Sequence, residues 1–167
     1  MLQKLHHVAY RCKDAATTTD FYTKVLGLKF AHAIRGDMVP STGAADPHLH
    51  IFFEMQDGSY IAFFELPAAP PAQRDPATPD WVQHLALEVE SEAVLESWKA
   101  RLDEHGVSVV GPTDHGFCRS IYFFDPNGHR LELTARTTKS GDGERYLAEA
   151  PQILQRWAAD KLKRASA

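Results

Sequence analysis

The sequence predicts an α+β fold made of two βαβββ modules and a C-terminal helix. Three observations carry that reading. The stretch from 67 to 79, "PAAPPAQRDPATP", holds five of the ten prolines. It cannot sustain a helix or a central strand, so it is a linker dividing the chain into residues 1–66 and 80–136. Each half opens on an alternating strand with a histidine in the same place, "HHVAY" against "QHLAL". Each then continues with one helical pattern and three strand patterns, which marks an internal repeat.

The elements follow in order. "LHHVAYRC" alternates as a strand should. In "DAATTTDFYTKVLG", Phe21, Val25 and Leu28 recur at helical spacing, with Asp14 as N-cap and Gly27 near the stop. Strands are expected at "LKFAHAI", "HLHIFFEM" and "YIAFFEL"; the last two are joined by "QDGS", where Asp-Gly signals a hairpin. The second module starts with "VQHLALEVE" and a helix, "SEAVLESWKARLDEHG", from Ser91 to Gly106. Strands "VSVV", "SIYFF" and "HRLELTA" follow, with "DPNG" as the last turn. These modules make one domain over 1–136. Residues 137–167 read as a loop, "TTKSGDG", and a helix from Pro151, a residue suited to the first helical turn. Leu154, Trp157, Ala158 and Leu162 form its apolar stripe, suited to packing on the domain or on a partner subunit.

Composition narrows the function classes. The 167 residues are 44% hydrophobic and 24% charged, ordinary for a soluble domain. A net charge of −4 without a basic run argues against nucleic acid. No apolar run approaches the roughly 20 residues that span a bilayer, and the N-terminus lacks the zones of a signal peptide. The two cysteines, Cys12 and Cys118, lie far apart, as expected for free thiols in a reduced, cytoplasmic setting.

The chemistry-bearing positions come from the repeat. His7 and His84 stand at matched places on the first strands; Glu65 in "FFEL" and Glu132 in "RLEL" stand on the last ones. The carboxylates are not in perfect register, because Glu65 lies seven residues past Gly58 and Glu132 four past Gly128. Imidazole and carboxylate donors on rigid strands suit iron, manganese, nickel or zinc better than magnesium or calcium. A carboxylate between apolar neighbours also needs a partner if it is buried. For each histidine alone the plainer reading is a half-buried strand histidine; the joint pattern favours a metal. Strand alternation turns His6 away from His7. His48 and His50 share a strand face at a pocket mouth or on the surface, and His32, His105 and His129 read as exposed. Arg35 and Arg119 suit either an anionic substrate or a solvated strand edge.

The segments "LHHVAYRCKDAATTTDFYTKVLGLKF", "QHLALEVES" and "SIYFFDPNGHRLEL" resemble the vicinal oxygen chelate superfamily. That group includes glyoxalase I, methylmalonyl-CoA epimerase, fosfomycin-resistance proteins and extradiol ring-cleaving dioxygenases. The resemblance implies paired modules forming a cupped mixed sheet around one metal, a small-molecule substrate and a homodimer. It puts the first ligand on the histidine before "VA", which is His7. Glyoxalase- and epimerase-like isomerases or lyases would use four ligands, His7, Glu65, His84 and Glu132. Extradiol dioxygenases would use three, His7, His84 and Glu132, around Fe(II), with nickel, manganese or zinc as alternatives. Those enzymes also carry an acid–base histidine and a tyrosine, which His115 and Tyr122 match, although the segment between them is shorter here. This pair puts a dioxygenase acting on a catechol-like substrate first and the isomerase second. A non-catalytic, resistance-type binding protein comes third, because such proteins generally lack the ligand set.

Overall fold

Side-chain alternation along each strand decides which residues enter the core and which line the opposite face. The computed structural model describes residues 1–70 and 75–165. The first module comprises β1 (His7–Arg11), α1 (Ala15–Asp20), β2 (Lys29–Met38), β3 (Ala45–Glu54) and β4 (Tyr60–Glu65). The second comprises β5 (Leu85–Val89), α2 (Glu92–Glu104), β6 (Val110–Asp114), β7 (Cys118–Phe124) and β8 (Arg130–Arg136), and α3 (Asp142–Ala165) ends the chain. Each module forms its own mixed sheet, in the orders β1-β4-β3-β2 and β5-β8-β7-β6. The first strand of each module runs parallel to the last, and the remaining pairs are antiparallel.

The helices start and stop where their caps require. Asp14 accepts from the Thr17 N–H and opens α1; α1 runs on into a π-helical turn, Phe21–Val25. Gly27, with φ of 72°, takes the left-handed conformation that ends this unit. Ser91 caps α2 in the same way as Asp14 caps α1.

The inner faces of both sheets meet in one core. Tyr22, Phe53, Phe63, Leu95, Leu102, Ile121, Phe123 and Leu131 are all at most 1% exposed. Polar contacts also tie the modules together. The Lys13 N–H donates to Asn127 Oδ1 at 2.8 Å, Arg101 donates to the carbonyls of Val25 and Lys24, and His129 Nε2 lies 2.8 Å from the Arg11 carbonyl. The "DPNG" turn therefore also locks the modules to each other: Asp125 and Asn127 are buried and bonded to Tyr22 and Thr18.

Three elements differ from expectation. β6 starts at Val110, the last residue of the expected "VSVV", and its register shifts between Val110 and Thr113. A Cβ on Gly111 would lie 2.7 Å from the Ser120 carbonyl oxygen, so the strand lies close against its neighbour at this glycine. The terminal helix starts at Asp142, not Pro151, and Pro151 lies inside it. Acidic residues Asp142 and Glu144 occupy its first turn, where the helix dipole favours them. The expected linker has neither helix nor strand at 67–70 and 75–79, and its residues 71–74 lie outside the described ones. Cys12 and Cys118 are free and buried, and burial pushes the Cys12 thiol up to about 11. Among the described residues no helix is long and apolar enough to cross a membrane.

Candidate metal centre

The second sheet presents the centre. β8 reads Arg130-Leu131-Glu132-Leu133-Thr134-Ala135-Arg136. Alternation buries Leu131, Leu133 and Ala135 in the core and turns Glu132 to the other face. There the Glu132 carboxylate, 7% exposed, lies 2.9 Å from His84 Nε2. Glu132 pairs across the ladder with Tyr122, whose ring meets that of His84 edge-on at 6.0 Å. The Tyr122 hydroxyl is 2.7 Å from His115 Nε2. Burial, and then the negative charge of Glu132, raise the Tyr122 pKa, so the phenol keeps its proton. The Arg130 guanidinium lies over the Tyr122 ring, 4.4 Å from its centre. His84, Glu132, Tyr122, His115 and Phe117 line one cleft of about 490 Å³.

His7 stands on the first sheet. Its Nδ1 lies 2.8 Å from His6 Nδ1, so His6 bends back beside His7 instead of facing away as strand alternation suggested. His6 precedes β1 and escapes its pleat. If His7 donates its Nδ1 proton to His6, the His7 Nε2 lone pair is left free, the form a metal ligand needs. The His7 ring also touches Phe52 and His50.

Glu65 is not near these groups. His7 pairs with Tyr60, so Tyr60, Ala62 and Phe64 share its face, whereas Ile61, Phe63 and Glu65 point to the helices. There Glu65 Oε2 accepts from the Ala15 N–H at 2.7 Å, at the start of α1. The repeat can be followed residue by residue. Ala86, two past His84, pairs with Glu132; Ala9, two past His7, pairs with Ala62. A fully buried alanine thus occupies the place of the second carboxylate.

The donor chemistry at His84 and Glu132 fits a divalent ion. A buried carboxylate bonded to an imidazole is an arrangement that a cation would complete. Yet among the described residues no three His, Cys, Asp or Glu side chains come together to hold one. His84 and Glu132 meet within the chain; His7 does not join them.

Sequence reading undervalued His50. Its ring stacks on Phe64 at 3.6 Å, and its Nε2 is buried without a hydrogen-bond partner among the described residues. Burial first, then the nearby His7, His48 and His32, push its pKa down to about 4, so it is neutral. The clue was available in "HLHIFFE": His48, His50 and Phe52 share the His7 face. The remaining candidates have structural partners. Arg119 pairs with Glu92 at 2.7 Å, Arg35 sits near Asp37 on the surface, and His105 meets the Arg101 carbonyl at the end of α2.

Comparison with known proteins agrees with this architecture. The pattern of the Glyoxalase/Bleomycin resistance protein/Dioxygenase superfamily matches residues 4–133. The chain is 31% identical over 143 residues to the Bacillus subtilis (strain 168) protein named "Putative ring-cleaving dioxygenase MhqA", covering 83% of this chain and 42% of that one. It therefore spans less than half of that relative. It is 29% identical over 139 residues to the metallothiol transferase FosB of Staphylococcus saprophyticus, covering 82% of this chain and 80% of FosB. The fold matches that of the fosfomycin resistance protein FosX from Listeria monocytogenes, a complex with Mn(II) and sulfate. That match has a TM-score of 0.57 at 24% identity and covers 82% of this chain and 95% of FosX. With two βαβββ modules and the superfamily pattern over most of its length, the chain belongs to the Glyoxalase/Bleomycin resistance protein/Dioxygenase superfamily.

Proposed function

We propose that this protein is a ring-cleaving dioxygenase for a catechol-like small molecule. Its metal is held by His84 and Glu132 of one copy and His7 of a second copy in a homodimer. The observation that carries the reading is the His115–Tyr122 hydrogen bond on the wall of the cleft that contains His84 and Glu132. A divalent ion, iron(II) first and manganese, nickel or zinc as alternatives, would polarise a chelating diol and supply the redox chemistry toward dioxygen. Tyr122, bonded to His115 Nε2, hands its proton to that nitrogen as it takes one from the diol, and the reverse passage returns it. Tyr122 is thereby protonated before and after the transfer, in keeping with its raised pKa. The neutral, ring-stacked His50 with Phe52 and Phe64 gives an aromatic wall from the His7 side.

The strand orders support a split across two copies. β1 and β5 are both edge strands; His7 lies on β1 and His84 just before β5. A β1 edge set against a β5 edge would bring the three donors together, and a second copy can provide that meeting in a symmetric pair. Three donors leave open positions for a bidentate substrate and a second ligand. A four-donor isomerase has weaker support, because Ala62 takes the repeat position and Glu65 caps α1. Thiol transfer is the second reading, favoured by the match across 80% of FosB.

The test is metal analysis of protein purified without oxygen, then oxygen uptake over a panel of substituted catechols. Wild type should carry about one divalent ion per chain, and His84→Ala should release most of it, because that ligand supplies much of the site's binding energy. His115→Asn should keep the metal and lose about 10²-fold in turnover. Iron-loaded protein that uses no oxygen with any catechol, yet transfers a thiol to a small-molecule acceptor, would move the reading to thiol transfer.

A further inference from the structure

We infer that α3 is a clasp: its apolar stripe docks on the outer strand β2 of a second copy, across the mouth of the shared cleft. The inference rests on the two-copy site proposed above. Joining a β1 edge to a β5 edge gives the continuous order β2-β3-β4-β1 and β5-β8-β7-β6. The two outermost strands of that joined cup are then β2 of one copy and β6 of the other, facing each other across its opening. α3 is rooted on the β6 side. Tyr146 in its first turns meets Phe117, in the β6–β7 connection, with ring centres 6.4 Å apart. Phe117 and Thr138 themselves line the cleft.

The chemistry of both surfaces fits this occupant. Leu147, Ile153, Leu154 and Trp157 are 54–78% exposed on α3, an apolar face left open among the described residues. Ile34 and Met38 are 45% and 53% exposed on β2, an edge strand whose outer side is uncovered among the described residues. An exposed apolar edge promotes uncontrolled pairing unless something covers it. Lengths also agree: a 24-residue helix extends about 36 Å, and a ten-residue strand about 33 Å. In a symmetric pair each copy gives one helix and receives one, so both open faces are covered at once.

The experiment uses the full chain, with sedimentation and disulfide capture. Trp157→Glu should weaken the dimer about thirtyfold or more, the scale of a central interface tryptophan, while the circular dichroism of the core is unchanged. When an Ile34→Cys chain is mixed with a Leu154→Cys chain and oxidised, a disulfide should form between the two chains. Wild type that forms a dimer and binds metal, with no crosslink and no effect of Trp157→Glu, overturns the clasp and leaves the two-copy site standing. Wild type that stays monomeric at micromolar concentration overturns both.

Discussion

Glu65 and Glu132 sit in near-identical settings, "FFEL" and "RLEL", and end on opposite sides of their sheets. A strand has a period of two, so the offset of three residues after the turn, an odd number, moves the side chain to the other face. Glu65 thereby gains the Ala15 N–H at 2.7 Å and loses access to His7. Glu65→Ala should cost about 1.5–3 kcal/mol, the range for a hydrogen bond to a charged group, in urea denaturation, and should leave metal content unchanged. A loss of metal would return Glu65 to the ligand set. His50 gives a second test, in metal-free protein. Its pKa is lowered to about 4 in the fold, chiefly by burial, against about 6.5 when unfolded. The unfolded chain binds the proton more tightly, so the stability from neutral His50 is complete above pH 6.5 and is lost as pH falls toward 4. His50→Phe should flatten the fall in denaturation midpoint between pH 7 and pH 4.5. An identical acid slope in the variant would mean His50 titrates normally.

At the scale of elements, the caps were readable and the strand boundaries less so. Asp14 and Ser91 open their helices as local chemistry dictates, since each supplies an oxygen for a bare N–H of the first turn. β6 depends on a close approach that only its partner strand creates. Gly111 has φ of 110°, and a Cβ there would meet the Ser120 carbonyl. Gly111→Ala should therefore destabilise the fold by about 1–3 kcal/mol, the usual cost of a residue forced into a disfavoured conformation. Thermal melts of the variant check this, and an unchanged melting temperature would mean the bulge rearranges freely. Pro151 lacks the N–H that would bond back along α3, yet the helix continues through it.

For the whole molecule, the proposed site, with His7 apart from His84 and Glu132, makes metal binding a property of the pair of chains. His7→Ala and His84→Ala should each hold almost no metal. Mixed in equal amounts and allowed to exchange, half of the dimers are hybrids by symmetry, each with one site intact and one doubly broken. The mixture should recover about a quarter of wild-type metal, read by elemental analysis after gel filtration. Recovery of none would mean that the three donors must come from one chain.

By itself the sequence determined the βαβββ repeat and the caps of the two module helices. All of these rest on local rules: periodicity, turn residues and cap chemistry act within a few positions. Tertiary structure decided what depends on distant pairing. It set the register of β4 against β1, which put Ala62 where the repeat would place a second carboxylate. It turned His6 beside His7 and joined His115 to Tyr122. It also kept β1 and β5 as separate sheet edges. Hydrogen bonds between strands far apart in the chain fix that register, and no short window of sequence contains both partners.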